Sequence, residues 1–516
     1  MTKPTSDAFR TSILASYWPP VLAIVSLLGS CILWSARKMP WGDECFTYFE
    51  VREPSPMHLY RAAQHLGGAG MPLFYLTAWP WAHLFGLSPL SLRLYSSVGI
   101  CAALVTLYLT LRARFTAPAA FLGVSLAMLS NYILLQQNAE ARTYGLYLFL
   151  AALSIAAWLR VAENQQPSGK MLLALCLSQA GLVLGHVLGL MFGAMMLTAL
   201  VISDRLRSNL RPKVYFCHAA GWLALLLWLP AILASAAVAK PHGWNVKPRF
   251  SDLAAQLSFH SFIGPFVGHR IGFLIAFLLG IGCIGVLIFS EAVALKRSDR
   301  PPCPALILAF SLLLVPLILF VVSRTITPIF VPRYLLPASF GIAILLASWF
   351  NRRNFAQSPF AYALAAIALL QPIATALAVQ PFYIDVQRLD AIIANRPVIV
   401  DWLLDFTAIL RSSKNPGQII YPLDWEAALR GHSSIAPNYH LMRAYQEQGF
   451  LTGNLLDTSA ILQKSSFLVL DNSQSNWFRE RIASNPCFTW QPVAHFDSTG
   501  DTRTLIEVER SQSCKE

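Results

Sequence analysis

Residues 12–50 read SILASYWPPVLAIVSLLGSCILWSARKMPWGDECFTYFE. The run Ser12 to Ser35 is apolar and matches the roughly 20 residues that cross a hydrocarbon core about 30 Å thick. Two adjacent carboxylates, Asp43 and Glu44, then stand where the run meets water, among Trp41, Phe46, Tyr48 and Phe49. A solvated loop start is the plain explanation for such a pair. Charge at the edge of hydrocarbon is costly, however, so acids held there by aromatic neighbours point to a working site.

The rest of the chain supports a membrane protein. Of 516 residues, 55% are hydrophobic and only 13% charged, against about 25% charged in a soluble domain. Further apolar segments at 92–111, 117–135, 143–161, 171–186, 187–203, 214–238, 271–293, 303–323, 333–350 and 359–380 bring the expectation to about 11 spans. The net charge of +13 is not concentrated in a basic domain with interleaved aromatics, which argues against a nucleic-acid partner. It lies in loops. Placing the N-terminus on the cytoplasmic side puts LRARFT, DRLRSNLRPK, KRSDRPP and NRRN there together, as short positive loops require.

Two stretches need separate treatment. PLFYLTAWPWAHLFG at 72–86 is apolar but short and contains Pro80. As a span it would export all four basic clusters, so it is expected to lie flat at the outer interface within the loop 37–91. Residues 171–203 as one helix would be about 50 Å long, so a break is expected near Gly185–His186. The first span lacks a small-residue cleavage site, which argues against a cleaved signal peptide. After residue 380, stretches such as GQIIYPLDWEAALRGHSS and SSFLVLDNSQSNWFRERI read as strands followed by helices. The expected domains are therefore 1–380 in the membrane and 381–516 as a small soluble α/β domain outside it. The nine cysteines form no CxxC pair or zinc-spaced cluster; Cys487 and Cys514 can pair if the tail is extracytoplasmic.

With this topology, polar residues collect on the outer side. They are Asp43 and Glu44, then His65 before Gly67, Gly68, Gly70 and Pro72, then Arg93 at the start of its span. NAEARTYGLY adds Glu140, Arg142 and Tyr144, GHVLG adds His186, and FVPRYLLPA adds Arg333 and Tyr334. Taken singly, each has an ordinary explanation, such as a snorkelling arginine or a satisfied interior histidine. Together, carboxylates and arginines beside hydrocarbon suit a substrate with a lipid tail and a phosphate head.

These segments resemble the GT-C glycosyltransferases, in the branch of the protein O-mannosyltransferases and the lipid A aminoarabinose transferase. The resemblance rests on the DE after the first span, on HLGGAGMPLFYL, and on RLYSSVGICAALVTLYLTLRARF, EARTYGLYLFLAAL, GHVLGLMFGA and PRYLLPA, in that order over about residues 10–350. It implies a GT-C fold with interfacial helices in the first outer loop. It also implies transfer of a sugar from a polyprenyl-phosphate (undecaprenyl-type) carrier to an acceptor at the outer face of the membrane, which would be a glycan, lipid or protein, as in cell-envelope glycan synthesis. The compact loops and the lack of an organelle-targeting segment favour a bacterial inner membrane over the endoplasmic reticulum. Asp43 would be the catalytic carboxylate. Met71 departs from the pattern, where a second proline is usual.

On this reading Asp43 takes the acceptor proton, and Glu44 orients it or contacts the donor. Arg93, Arg142 and Arg333, with Glu140, Tyr144, His186, Tyr334 and His65, would bind the donor and its departing phosphate. Inversion follows from backside displacement. If the site uses a divalent ion, magnesium or manganese would sit on Asp43 and Glu44 together with Glu140 or His65. A transporter or flippase of lipid-linked saccharides is the alternative, although no internal repeat accompanies it.

Overall fold

In the computed structural model the chain is described over residues 6–65, 71–239, 246–257, 284–293, 303–353, 358–378, 382–424, 436–472, 477–498 and 501–511, with Ser475 and a few other single residues. The first apolar run forms α1 (Ser6–Arg37). Three short helices follow: α2 (Gly42–Val51), α3 (Pro56–His65) and α4 (Pro72–Phe85). α4 has 14 residues, about 21 Å at 1.5 Å per residue, too short for a hydrocarbon core of about 30 Å. Its indoles are tied to neighbouring backbone, Trp79 Nε1 to Glu53 O at 2.7 Å and Trp81 Nε1 to Ser91 O at 2.9 Å.

Among the described residues, seven helices are long and apolar enough to cross a membrane. They are the Trp18–Arg37 part of α1, α5 (Pro89–Arg112), α8 (Tyr144–Glu163), α10 (Gly189–Leu206), α15 (Pro304–Thr325), the segment Pro332–Arg352 and α17 (Pro359–Ala378). Pro332–Arg352 comprises a 3-10 turn, Pro332–Ala338, continued by α16 (Ser339–Arg352). An eighth arises if α6 (Ala117–Leu129) and α7 (Tyr132–Asn138) are one span bent by 76°. The bend falls where the Asn131 side chain accepts from Leu134 N at 3.1 Å and starts a new helix.

The other expected spans differ in detail. Residues 171–203 do break, between α9 (Gly169–Gly185) and α10, at His186–Leu188. Glycine is required there, because a Cβ on Gly189 would meet Leu182 O at 2.2 Å. The segment expected at 214–238 is three pieces: α11 (Pro212–Ala220), a 3-10 turn at Gly221–Leu227 and α12 (Leu229–Ala239). α13 (Phe250–Leu257) follows. Of the span expected at 271–293, α14 (Ile284–Val293) is described, and most of the remainder lies outside the described residues. Cys487 is disulfide-bonded; Cys514 and the glycines of HLGGAG lie outside the described residues.

The tail begins with α18 (Val386–Ile393) and builds a six-stranded sheet of order β3-β2-β1-β4-β6-β5. Its strands are β1 (Val398–Val400), β2 (Ile419–Leu423), β3 (Leu455–Asp457), β4 (Ser466–Asn472), β5 (Phe488–Ser498) and β6 (Asp501–Arg510). β3, β2, β1 and β4 are parallel, while β6 and β5 are antiparallel. The helices are α19 (Leu403–Ser412), α20 (Ala436–Glu447), α21 (Thr458–Leu462) and α22 (Trp477–Ala483). Arg503, 1% exposed, grips Asp405 with Nε at 2.5 Å and Nη2 at 2.9 Å.

α19 rests on α2. A Cβ on Gly42 would collide with Leu404, and the Arg411 guanidinium stacks 4.0 Å over the Tyr48 ring and donates to Leu87 O at 2.8 Å. Within the bundle the tightest approach joins α5 and α8, where a Cβ on Gly145 would lie 2.0 Å from Ser96 O. Small residues let membrane helices come this close. Gly145→Leu is expected to force these helices apart and cost about 1–3 kcal/mol, seen as a lower thermal midpoint of the detergent-solubilised protein.

Candidate active site

α2 opens after an extended Trp41, with Asp43 and Glu44 in its first turn, where the helix dipole favours carboxylates. At 3.6 residues per turn, neighbours point about 100° apart, so the two acids cannot share one target. Glu44 turns inward. It is 3% exposed and receives Arg93 Nε at 2.7 Å and Nη2 at 2.9 Å, Ala141 N at 3.1 Å, and the Lys38 ammonium at 3.7 Å. Burial pushes its carboxyl up, but the charges of Lys38 and Arg93 outweigh that and hold it well below the ordinary range. Lys38 also donates to Glu140 Oε1 at 3.0 Å, leaving Glu140 Oε2 buried without a partner.

Asp43 turns the other way and stays one-fifth exposed. Its Oδ2 lies 3.3 Å from Arg333 Nη2 and 3.8 Å from Arg142 Nη2, while Arg142 Nη1 donates to its backbone oxygen at 3.0 Å. Arg142 comes from the turn before α8, and Arg333 from the 3-10 turn before α16. Both guanidinium Nε atoms are buried and unpartnered. Arg333 also lies about 6 Å over the rings of Tyr144 and Tyr334. Behind them, His186 stacks on Tyr147 at 4.4 Å and approaches Tyr334 at 5.1 Å, and its Nδ1 accepts from Leu188 N at 3.2 Å.

The structure thus sorts the residues singled out in the sequence into two groups. Asp43, Arg142, Arg333, Tyr144, Tyr334 and His186 share one place. Glu44, Arg93 and Glu140 gather around Lys38 on the inner side of α2, with Arg93 0% exposed. His65 is exposed at the end of α3, and no described hydrogen bond or ion pair joins it to either group. Among the described residues no three His, Cys, Asp or Glu side chains are grouped to hold a metal ion, so Asp43, Glu44 and Glu140 are not arranged as a ligand set.

Sequence reading passed over Lys38 and Glu50. Glu50 follows Asp43 by seven residues, two turns along the same face of α2, and that spacing was the available signal. It is 4% exposed and accepts the Tyr445 hydroxyl of α20 at 2.6 Å. Burial raises its carboxyl to about 6, and the hydroxyls of Tyr445 and Tyr75 and the Arg142 charge only partly offset this.

No family model and no curated protein matches the chain. Solved structures do. ArnT from Cupriavidus metallidurans in the apo state superposes with a TM-score of 0.56 at 14% identity, over 97% of this chain and 98% of that one. This chain has the ArnT fold. The same protein bound to undecaprenyl phosphate gives 0.52 at 13% identity, over 98% of each chain. The ArnT likeness runs through the bundle and the tail alike, so the fold is shared over nearly the whole chain.

Two outcomes follow from the division of the acids. Arg93→Ala strands a buried carboxylate and is expected to cost about 3–5 kcal/mol, whereas Asp43→Asn, at a partly exposed pair, should change stability by less than about 1 kcal/mol; thermal unfolding of both variants checks this. For Glu50, the folded carboxyl binds its proton more tightly than the unfolded one, so its contribution is fully present below pH about 4.3 and is lost as pH rises through about 6. Glu50→Gln should therefore gain about 2 kcal/mol relative to the parent between pH 4.5 and 7, read from paired unfolding curves.

Proposed function

We propose that this chain transfers a sugar from a polyprenyl-phosphate carrier to an acceptor hydroxyl at the outer face of a membrane, with inversion at the anomeric carbon. The observation that carries the reading is one carboxylate, Asp43, shared by two arginines from separate turns, Arg142 and Arg333. An acceptor hydroxyl is a poor nucleophile at neutral pH and needs a base within hydrogen-bond reach. A departing lipid phosphate needs positive charge more than it needs a proton. ArnT bound to undecaprenyl phosphate supports a carrier of that type here.

The steps follow from the residues. Without donor, Asp43 is shared by the two arginines and offsets one of their two charges. A phosphate entering the site meets two unpartnered Nε atoms, each able to form a two-point fork with its own Nη, and draws both guanidinium groups away from Asp43. The carboxylate is then free to take the acceptor proton as the acceptor oxygen attacks the anomeric carbon. The bond from that carbon to phosphate oxygen breaks, and its electron pair leaves with the lipid phosphate between the arginines. Tyr144, Tyr334 and His186 supply the aromatic wall against which the sugar is held. In this reading Glu44, Arg93, Lys38 and Glu140 orient α2 and do not touch substrate. The N-terminus is cytoplasmic and the tail domain external, as in a bacterial inner membrane.

Incubation of the purified protein with a panel of polyprenyl-phosphate-linked sugars and hydroxyl-bearing glycan, lipid and peptide acceptors, following lipid phosphate release, separates transfer from flipping, because a flippase releases none. Asp43→Asn is expected to lower the rate by at least about 100-fold with donor binding retained. Arg333→Ala should weaken donor binding about 10- to 100-fold, as expected for a lost charged hydrogen bond of about 1.5–3 kcal/mol. Undiminished transfer by Asp43→Asn would remove the base from this scheme.

A further inference from the structure

The parallel part of the tail sheet ends in acids. Asp401 follows β1, Asp424 follows β2, Asp457 closes β3 and Asp471 lies near the end of β4. In open α/β sheets, ligands collect outside these carboxyl ends, where successive strands depart to opposite sides. Here that point lies between β1 and β4. β2 and β3 extend the sheet one way from β1, and the chain then returns to place β4 on the other edge of β1.

Two of the four aspartates flank this point. Val400 is in register with Leu470, so Asp401 and Asp471 are the next residues across the same gap, on strands about 4.8 Å apart. Ile399 and Val469, two positions earlier, share the core beneath α22, and the period of two puts both aspartates on that face. One oxygen of each is already used: Asp401 Oδ2 accepts from Phe478 N at 3.3 Å, and Asp471 Oδ2 from Arg479 Nη1 at 2.7 Å. The other two, Asp401 Oδ1 and Asp471 Oδ1, are buried without a partner. The hydroxyl of Ser475, 3% exposed, lies against the Asp401 carboxyl, and its place is fixed by Ser475 N donating to Asn472 O at 2.9 Å.

Buried polar atoms without partners are rare because each has lost water and gained nothing. Two carboxylate oxygens left this way at one strand crossing, with a hydroxyl beside them, call for positive charge. All are hard donors, which excludes the thiolate-seeking metals and suits magnesium or calcium, with water or backbone oxygen completing the shell. We propose that Asp401, Asp471 and Ser475 bind a hard divalent cation at the β1–β4 crossover of the C-terminal domain. The ion would join β1, β4 and the turn into α22. It lies in a different domain from the Asp43 site and does not depend on sugar transfer.

The test uses full-length protein in detergent, stripped with chelator and dialysed. Magnesium or calcium, titrated separately, is expected to raise the thermal midpoint saturably, as a ligand of the folded state must. Terbium, standing in for calcium, should luminesce on excitation of Trp477, two residues from Ser475, and calcium should displace it. Asp471→Asn and Ser475→Ala should each weaken the ion at least tenfold, and Asp43→Asn should leave it unchanged. Trp477→Phe should lose the terbium signal yet keep the midpoint shift. If Asp471→Asn does not fold, Ser475→Ala carries the comparison. A midpoint indifferent to both ions, or ion affinity unaltered by substitution at Asp471 and Ser475, would overturn the proposal.

Discussion

The buried pairing of Glu44 with Arg93 fixes the geometry of everything around it. α2 is a short helix lying between the first span and the N-terminal ends of α5 and α8, and its own backbone cannot set its rotation. The bidentate contact from Arg93, the Ala141 amide and the Lys38 ammonium bind one side of its first turn to the bundle. The rotation so fixed leaves Asp43 facing Arg142 and Arg333. Buried ion pairs add little net stability compared with apolar packing. What this one contributes is orientation, and the adjacent acid gains its direction from it.

The C-terminal α/β region supplies the second constraint. Leu404 packs against Gly42, Arg411 covers Tyr48, and Tyr445 donates to Glu50, so α19 and α20 clamp the length of α2 from outside. The candidate site therefore draws on segments far apart in the chain. Asp43 follows the first span, Arg142 and Arg333 come from turns that begin later spans, and residues beyond 400 hold the helix that carries Asp43. Such a layout lets short turns place the chemistry while long helices provide rigidity, a common division between scaffold and site.

Much of this was legible in sequence, for definable reasons. Hydropathy over about 20 residues marks spans well because lipid tolerates little else. Length alone located the break at His186. The broken segment at 212–239 was not legible, since its composition is apolar throughout and only tertiary contact reveals the 3-10 turn. At the site, residue type and level in the membrane gathered Asp43, Arg142, Arg333, Tyr144, Tyr334 and His186 correctly as neighbours. They did not separate Asp43 from Glu44, because adjacency in sequence hides the roughly 100° between successive side chains on a helix. Glu50 escaped because its partner Tyr445 lies 395 residues away.

The ten residues of α2 have a consequence for biogenesis. A peptide that short has almost no helical structure of its own in water. It leaves the ribosome early, directly after the first span, whereas the side chains that clamp it are among the last to be synthesised. Through most of insertion the segment carrying Asp43 therefore lacks its final shape. Until the tail is made, α2 lacks the contacts from α19 and α20 that hold its length.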